Sequence, residues 1–243
     1  MKLTLLPLCV AIILLSCKTQ YAGRQSTQSY TCGNTHNGHC YSEATLGDHF
    51  TGFTTTMSVV KNFHGGDGFI TNEFWLSNYN GVNGWIEVGV SSTEISGGNG
   101  NEYFYAFLDP ETALFHHFTI SPVPDDEIGS RVVLDVHQIA DNTFSVSVKG
   151  SKTNFTNTIQ VHLWDGFYGG SIKIGQELAG SNGAQASLTE FVENKFYKGS
   201  TLRYVDELNL PSESIGQPPY GGWLEKPTST NKGGIYSTYC CVR

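Results

Sequence analysis

Apolar and polar residues alternate in short runs along much of this chain. Ile86, Val88 and Val90, for example, alternate with Trp85 and Glu87. A period of two places successive side chains on opposite faces of a β-strand. The aliphatic set is therefore expected to face a core, while Trp85 and Glu87 face outward.

The same pattern predicts ten short strands, separated by turns rich in Gly, Asn, Asp and Pro. They are Phe69–Asn78, Trp85–Val90, Glu102–Phe107, His116–Ile120, Arg131–Ile139, Phe144–Lys149, Thr158–Trp164, Gly170–Glu177, Ala184–Val192 and Thr201–Asp206. The link at residues 140–143 joins two of these strands as a hairpin. No amphipathic segment of helical length follows Val60. The prediction is an all-β fold, a two-sheet antiparallel β-sandwich of the jelly-roll, concanavalin A-like type.

The beginning of the chain departs from this alternation. Lys2 precedes an uncharged apolar stretch, Leu3–Leu15, which is shorter than the roughly 20 residues of a membrane-spanning helix. It predicts a signal peptide over residues 1–16. The segment LLSC, which ends at Cys17, resembles the bacterial lipobox, whose cysteine becomes lipidated; an ordinary signal peptide cut nearby is the alternative. We expect an exported chain, either a lipoprotein of the bacterial cell envelope or a secreted protein.

The rest of the chain is predicted to form a short tether and one domain. Residues 17–31 are polar and predict a tether behind a lipidated Cys17. Residues 32–243 are enough for one sizeable core. Within them, residues 210–232 are rich in Pro, Ser and Gly and predict a surface excursion.

Charge narrows the range of partners. The chain has 14 basic and 22 acidic residues, and its net charge is -8. An acidic chain without a Lys/Arg cluster argues against nucleic acid. We expect a monomer that binds an extracellular polypeptide or carbohydrate and meets a membrane only through its N-terminal lipid anchor.

Four cysteines remain after the signal peptide and Cys17: Cys32, Cys40, Cys240 and Cys241. In an oxidising compartment they predict disulfides. Because a bridge between adjacent cysteines is strained, we favour Cys32 and Cys40 each pairing with one of the two C-terminal cysteines, and a local Cys32–Cys40 bridge is the alternative. The histidines between Cys32 and Cys40 fit no zinc spacing, and the sequence predicts no metal and no cofactor.

Three glutamates stand out because they lie inside apolar or aromatic strand segments: Glu73, Glu87 and Glu190. The chain lacks a Gly-x-Ser-x-Gly elbow, a phosphate-binding loop and a His-Glu-x-x-His motif. A carboxylate beside aromatic rings on a sheet is typical of hydrolases and of carbohydrate-binding clefts.

Aromatic residues near these glutamates suggest a binding surface. Tyr103 and Tyr105 share one face of their predicted strand and are expected to form an aromatic wall. With Trp85 and Glu73 they are the predicted substrate-binding residues, beside Glu87.

The order of these segments resembles the glutamic peptidases, the eqolisin group and its neprosin-like relatives. FWL at residues 74–76 and WIEVGV at residues 85–90 are similar to that family's Ala-Trp-Val-Gly and Leu-Gln-Thr-Gly-Val-Asp strands. EYFYAF at residues 102–107 is similar to its aromatic strand, and residues 129–149 to its central hairpin. EFVE at residues 190–193 is similar to its Ala-Glu-Trp-Ile-Val-Glu segment.

The resemblance implies a secreted or lipid-anchored acid endopeptidase. Glu87 stands where the eqolisins have a catalytic Gln, so the implied dyad is Glu/Glu, as in the neprosin-like branch. Glu190 is the implied partner, and Glu193 the fallback. Two carboxyls that share a water titrate in acid, so activity would peak there. The alternatives are a non-catalytic carbohydrate-binding sandwich and a structural surface lipoprotein.

Overall fold

The computed structural model describes residues 39–62, 69–78, 84–93, 101–109, 111–152, 156–179, 187–206 and 221–239. These residues form fourteen strands and one short 3-10 helix, Asp125–Glu127. The predicted all-β class is confirmed. The predicted signal peptide and tether lie outside the described residues, as do Cys17, Cys32, Cys240 and Cys241.

One sheet contains six strands. They are β1 (His39–Phe50), β3 (Phe69–Ser77), β4 (Trp85–Thr93), β5 (Asn101–Asp109), β6 (Leu114–Pro122) and β10 (Gly170–Ala179). Their spatial order is β1-β10-β3-β4-β5-β6, and each neighbouring pair is antiparallel. The strands that carry Glu73 and Glu87 are therefore the two in the middle of the sheet, β3 and β4.

The other sheet contains the remaining eight strands. They are β2 (Gly52–Ser58), β7 (Arg131–Ala140), β8 (Thr143–Gly150), β9 (Thr156–His162), β11 (Thr189–Lys198), β12 (Thr201–Tyr204), β13 (Gly221–Glu225) and β14 (Ile235–Tyr239). Their order is β13-β14-β11-β2-β7-β8-β9, with β12 paired to β11. The predicted hairpin is confirmed, because Ala140 of β7 pairs with Thr143 of β8.

The apolar faces of the two sheets pack against each other. Ile86, Val88 and Val90 are fully buried in this core, as the alternation predicts. Across from them, the other sheet contributes side chains such as Val132 and Leu134. The predicted two-sheet antiparallel sandwich is confirmed.

Some strands were not predicted. The inward positions of β1 include Ser42, Ala44 and Leu46, a set too weakly apolar to produce a strand signal. In the segment predicted as a surface excursion, residues 221–225 form β13, which pairs with β14.

The two ends of the described chain meet at the same place. Thr238 Oγ1 of β14 donates a hydrogen bond to the Ser42 carbonyl oxygen of β1 at 3.0 Å. Cys40 lies two residues before Ser42, and Cys240 follows Thr238 by two residues. The predicted disulfides themselves fall outside what the structure describes and stay a prediction.

None of the described segments is a helix long and apolar enough to cross a membrane.

Candidate active site

Five of the described glutamates project from the outer surface of the six-stranded sheet, which we call the glutamate face. They are Glu43 on β1, Glu177 on β10, Glu73 on β3, Glu87 on β4 and Glu102 on β5. The strand register places them on one surface because directly paired residues share a face, and the neighbours of each glutamate along its strand point into the core.

Glu73 lies at the centre of this face. The residues directly opposite it are Gly89 on β4 and Gly175 on β10. Glu87 and Glu177 occupy the diagonal positions on either side, since Glu87 pairs with Trp75 and Glu177 pairs with Thr71. Diagonal cross-strand neighbours are within reach of long side chains. Glu73 therefore has a neighbouring carboxyl group on each side.

Only glycine fits at these two positions, because the neighbouring strands approach each other closely there. A Cβ atom on Gly89 would lie 2.2 Å from the Asn72 carbonyl oxygen and 2.5 Å from Glu73 Cβ. A Cβ atom on Gly175 would lie 2.1 Å from the Ser42 carbonyl oxygen. Because neither position can hold a side chain, nothing directly opposite Glu73 separates it from the two flanking carboxyl groups.

Hydrogen bonds orient the three carboxyl groups without satisfying all of their oxygens. Thr71 Oγ1 donates to Glu73 Oε1, whereas Glu73 Oε2 is buried and has no hydrogen-bond partner among the described residues. Trp85 Nε1 donates to Glu87 Oε2 at 2.8 Å. The Tyr41 hydroxyl donates to Glu177 Oε1 at 3.0 Å. One carboxyl oxygen at the centre of the site is therefore left for a further ligand.

Burial and mutual repulsion raise the pKa values of two of these groups. Glu73 is 0% exposed and Glu87 is 5% exposed. The pKa of Glu73 lies well above 4.5, first because it is buried and then because of the nearby Glu87 and Glu177 charges. Burial, followed by the Glu177 charge, raises the pKa of Glu87 to about 8, although hydrogen bonds from Trp85 and Trp75 oppose the shift.

This arrangement keeps protons on Glu73 and Glu87 in mildly acidic solution, with the Glu177 carboxyl group beside them. A protonated carboxyl can donate to a substrate oxygen while a neighbouring carboxylate accepts a proton from water. Within the described part of the chain, no group of three or more His, Cys, Asp and Glu side chains is arranged to hold a metal ion. The site has the groups for acid–base chemistry.

The structure does not bring Glu87 and Glu190 together. Glu190 lies on β11 in the eight-stranded sheet, beside Phe191, which packs into the core. Its side chain points outward, is 42% exposed and lies 3.4 Å from Arg131 Nη2. Packed sheets are separated by about 10 Å, and the two glutamates project from opposite sides of the sandwich. One water molecule cannot bridge them.

The fallback residue is also distant from the glutamate face. Glu193 lies where the pairing of β11 with β2 is interrupted, and its φ is 56°. Its carboxylate is 3.3 Å from Lys195 Nζ and accepts a hydrogen bond from the Tyr204 hydroxyl at 3.2 Å. The local sequence pattern predicts a strand here, but it does not show which of the two sheets contains β11.

The expected wall of tyrosines is not on the glutamate face. Tyr103 pairs with Val90 and Tyr105 pairs with Val88, so both tyrosines face the core. The prediction that they share a surface with Glu87 is corrected by this register. Trp85 and Glu73, in contrast, do lie on the same face as Glu87.

Glu177 was not predicted as a site residue, although its strand carries a signal for it. Ile172 and Ile174 are buried in the core, so Lys173, Gly175 and Glu177 must face the other way by period two. An isolated strand does not reveal its neighbours, and only the pairing of β10 with β3 places Glu177 beside Glu73.

No protein-family model and no curated relative matches the sequence. Solved structures do match the fold. A scytalido-glutamic peptidase bound to a transition state analog inhibitor superimposes with a TM-score of 0.57 at 12% identity, covering 83% of this chain and 98% of that chain. A second structure of that peptidase, bound to a peptide-based transition state analog, has a TM-score of 0.56 at 11% identity with the same coverage.

A member of the eqolisin family of peptidases, SCP-B in complex with the tripeptide Ala-Ile-His, gives a TM-score of 0.52 at 11% identity. It too covers 83% of this chain and 98% of its own length. The fold implied by the resemblance in the sequence is therefore confirmed: this chain has the β-sandwich fold of the glutamic peptidases.

Proposed function

We propose that this chain is an acid-active peptide hydrolase of the glutamic type, whose catalytic carboxyl groups are those of Glu73, Glu87 and Glu177. The observation that carries the proposal is the position of Glu73, fully buried, with one unpartnered oxygen and a carboxyl group on each side. Structural carboxylates are normally paired with cations or hydrogen-bond donors, and crowded carboxyls with raised pKa values are typical of catalytic sites.

The three groups take different roles in this proposal. The Glu177 carboxylate removes a proton from a water molecule, and the water oxygen attacks the carbonyl carbon of the peptide bond. Protonated Glu73 donates to the carbonyl oxygen as the tetrahedral intermediate forms. When the carbon–nitrogen bond breaks, the leaving amine takes up the proton held by Glu177, and one hydroxyl group of the intermediate returns a proton to Glu73 as the carboxylic acid product forms. Protonated Glu87 keeps the local negative charge low, which limits the electrostatic repulsion on the Glu177 carboxylate that acts as the base.

The shared fold and the position of Glu87 also support a polypeptide substrate. Trp85 and Trp75 lie on the same face as Glu87, and both donate hydrogen bonds to it. The carbohydrate-binding alternative relied on an outward wall formed by Tyr103 and Tyr105, and these tyrosines face the core. We further propose that the chain works after export, either attached to the cell envelope through lipidated Cys17 or secreted, as a monomer.

The proposal is tested by following hydrolysis of a denatured protein such as casein across the pH range. We expect activity in mild acid that declines as the pH rises toward about 8, where Glu87 loses its proton. Glu73→Gln should lower the rate by about 100-fold, as expected for loss of a general acid. Glu190→Gln is the matched control and should change the rate by less than about twofold, because Glu190 is on the other sheet.

Circular dichroism of each variant establishes that the fold is retained. Hydrolysis by Glu73→Gln at the native rate would contradict the proposal, as would a well-folded native chain that cleaves no protein substrate in acid.

A further inference from the structure

A fourth buried carboxyl group lies on the glutamate face, away from the three catalytic candidates. Glu102 on β5 is 1% exposed. Thr119 Oγ1 donates to its Oε2 atom at 2.6 Å. Its Oε1 atom is buried without a hydrogen-bond partner among the described residues. A buried carboxylate oxygen without a donor is costly, which indicates that something else supplies the donor.

His117 on β6 does not supply that donor in this structure. Its Nε2 atom lies 3.6 Å from Glu102 Oε1, beyond the range of a hydrogen bond, and is likewise buried without a partner. Burial lowers the pKa of His117, although the Glu102 charge opposes this shift. Glu102 Oε1 therefore has no hydrogen-bond donor among the described side chains around it.

Flat rings surround this pair. The His117 ring stacks on Phe104, with centroids 5.0 Å apart and planes 16° apart. Phe115 lies on the other side of His117, with a centroid distance of 6.5 Å, and its side chain is exposed. Stacked rings beside a carboxylate form a surface that suits a guanidinium group, which is planar, stacks on aromatic faces and donates to carboxylates.

The pair also lies in line with the carboxyl groups of the candidate active site. His117 pairs with Ala106, and Ala106 pairs with Glu87. The separation is two strand spacings, about 10 Å, and the residue between is only an alanine. A short peptide segment is therefore long enough to contact both the Glu102–His117 pair and the candidate active site.

We propose that Glu102, with the stacked rings of His117 and Phe104, forms a subsite for an arginine side chain of a bound polypeptide. The Arg guanidinium donates to Glu102 Oε1 and lies against the His117 ring, which is itself stacked on Phe104. The excess of glutamates on this face attracts cationic segments. The inference that hydrolysed substrates carry an arginine rests on the proposed function. The inference that the subsite binds an arginine side chain does not depend on hydrolysis.

The test compares two peptides that differ only in one side chain, arginine or its neutral isostere citrulline. Binding of each fluorescently labelled peptide is measured with Glu73→Gln, which is not expected to cleave them. We expect the arginine peptide to bind about tenfold more tightly, the size typical of one charge-assisted hydrogen bond. Adding Glu102→Gln should reduce this ratio to about one, and adding Glu190→Gln should leave it unchanged.

A second variant separates the charge of Glu102 from local packing. Thr119→Val removes a hydrogen bond to Glu102 but leaves the carboxylate, so the preference for arginine should survive. Equal binding of both peptides, or a preference that persists in Glu102→Gln, would overturn the inference. In the native chain, cleavage without an arginine preference would refute the subsite alone, whereas an arginine preference in binding without any cleavage would refute only the proposed function.

Discussion

The carboxyl groups on the two outer surfaces of the sandwich have different neighbours. On the eight-stranded sheet, three carboxylates have separate partners: Glu190 lies beside Arg131, Glu193 beside Lys195, and Asp135 accepts a hydrogen bond from the Tyr197 hydroxyl. On the six-stranded sheet, Glu73, Glu87 and Glu177 lie beside one another instead.

This difference separates structural acids from candidate catalytic ones. An exposed ion pair keeps a carboxylate charged and contributes little to stability. Crowding in a buried site makes the proton hard to remove, which is the property that a general acid needs. The same residue type therefore has different chemistry on the two surfaces, and its neighbours across the strands decide which chemistry it has.

The largest difference is expected when one carboxyl group is removed from each surface. Glu177→Gln should lower kcat/KM for a denatured protein in mild acid by about 100-fold, because the proposed general base is lost. Glu193→Gln removes an exposed carboxylate and should change it by less than about twofold. If the two variants lost activity equally, the distinction between the surfaces would fail.

The pH dependence of stability should show the same difference. The pKa of Glu87 is about 8 in the folded chain, compared with 4.5 ordinarily, so the folded state binds this proton more tightly than the unfolded state does. The resulting stabilisation of the fold is complete below pH 4.5 and is lost as the pH rises through the folded value. The free energy of unfolding should fall by about 1.4 kcal/mol per pH unit for each retained proton. Urea unfolding at several pH values measures this slope.

Variants identify the source of that slope. Glu87→Gln should make it shallower, whereas Glu190→Gln should leave it as in the native chain. A native chain whose stability stays constant or rises over this pH range would contradict the assignment.

A smaller effect is expected from two glycines, one in each sheet. A Cβ atom on Gly89 would press on Glu73, and one on Gly52 would lie 2.6 Å from His137 Cβ on the other sheet. Gly89→Ala and Gly52→Ala should each destabilise the fold by about 1–3 kcal/mol, typical of overpacking. Only Gly89→Ala should also alter the pH profile of hydrolysis per folded molecule. The comparison would fail if Gly52→Ala shifted that profile equally.

The sequence predicted the fold well because the strands in the centres of the sheets alternate strongly. Val132, Leu134 and Val136 illustrate this, and their hairpin partner formed as expected. The alternation also placed Trp85 and Glu87 correctly on an outward surface. β1 was missed because its inward positions include a serine and an alanine.

The candidate site was only partly predictable, since it depends on which strands become neighbours. Period two shows that Glu177 and Glu190 each face away from the core, but not which sheet carries them. β10 joins the sheet of Glu73, and β11 joins the other one. Tyr103 and Tyr105 show a related problem, because aromatic residues fill cores as readily as they line clefts.

The proposed catalytic site requires that Glu73 and Glu87 keep their protons beside the Glu177 charge far above the usual pH range of a glutamic acid. Titration of the side-chain carboxyl carbons by ¹³C NMR tests it most directly, with Glu73→Gln and Glu87→Gln to assign the signals. We expect Glu87 to titrate near a pKa of about 8 and the pKa of Glu73 also to lie well above 4.5. Titration of both groups near 4.5 would contradict it.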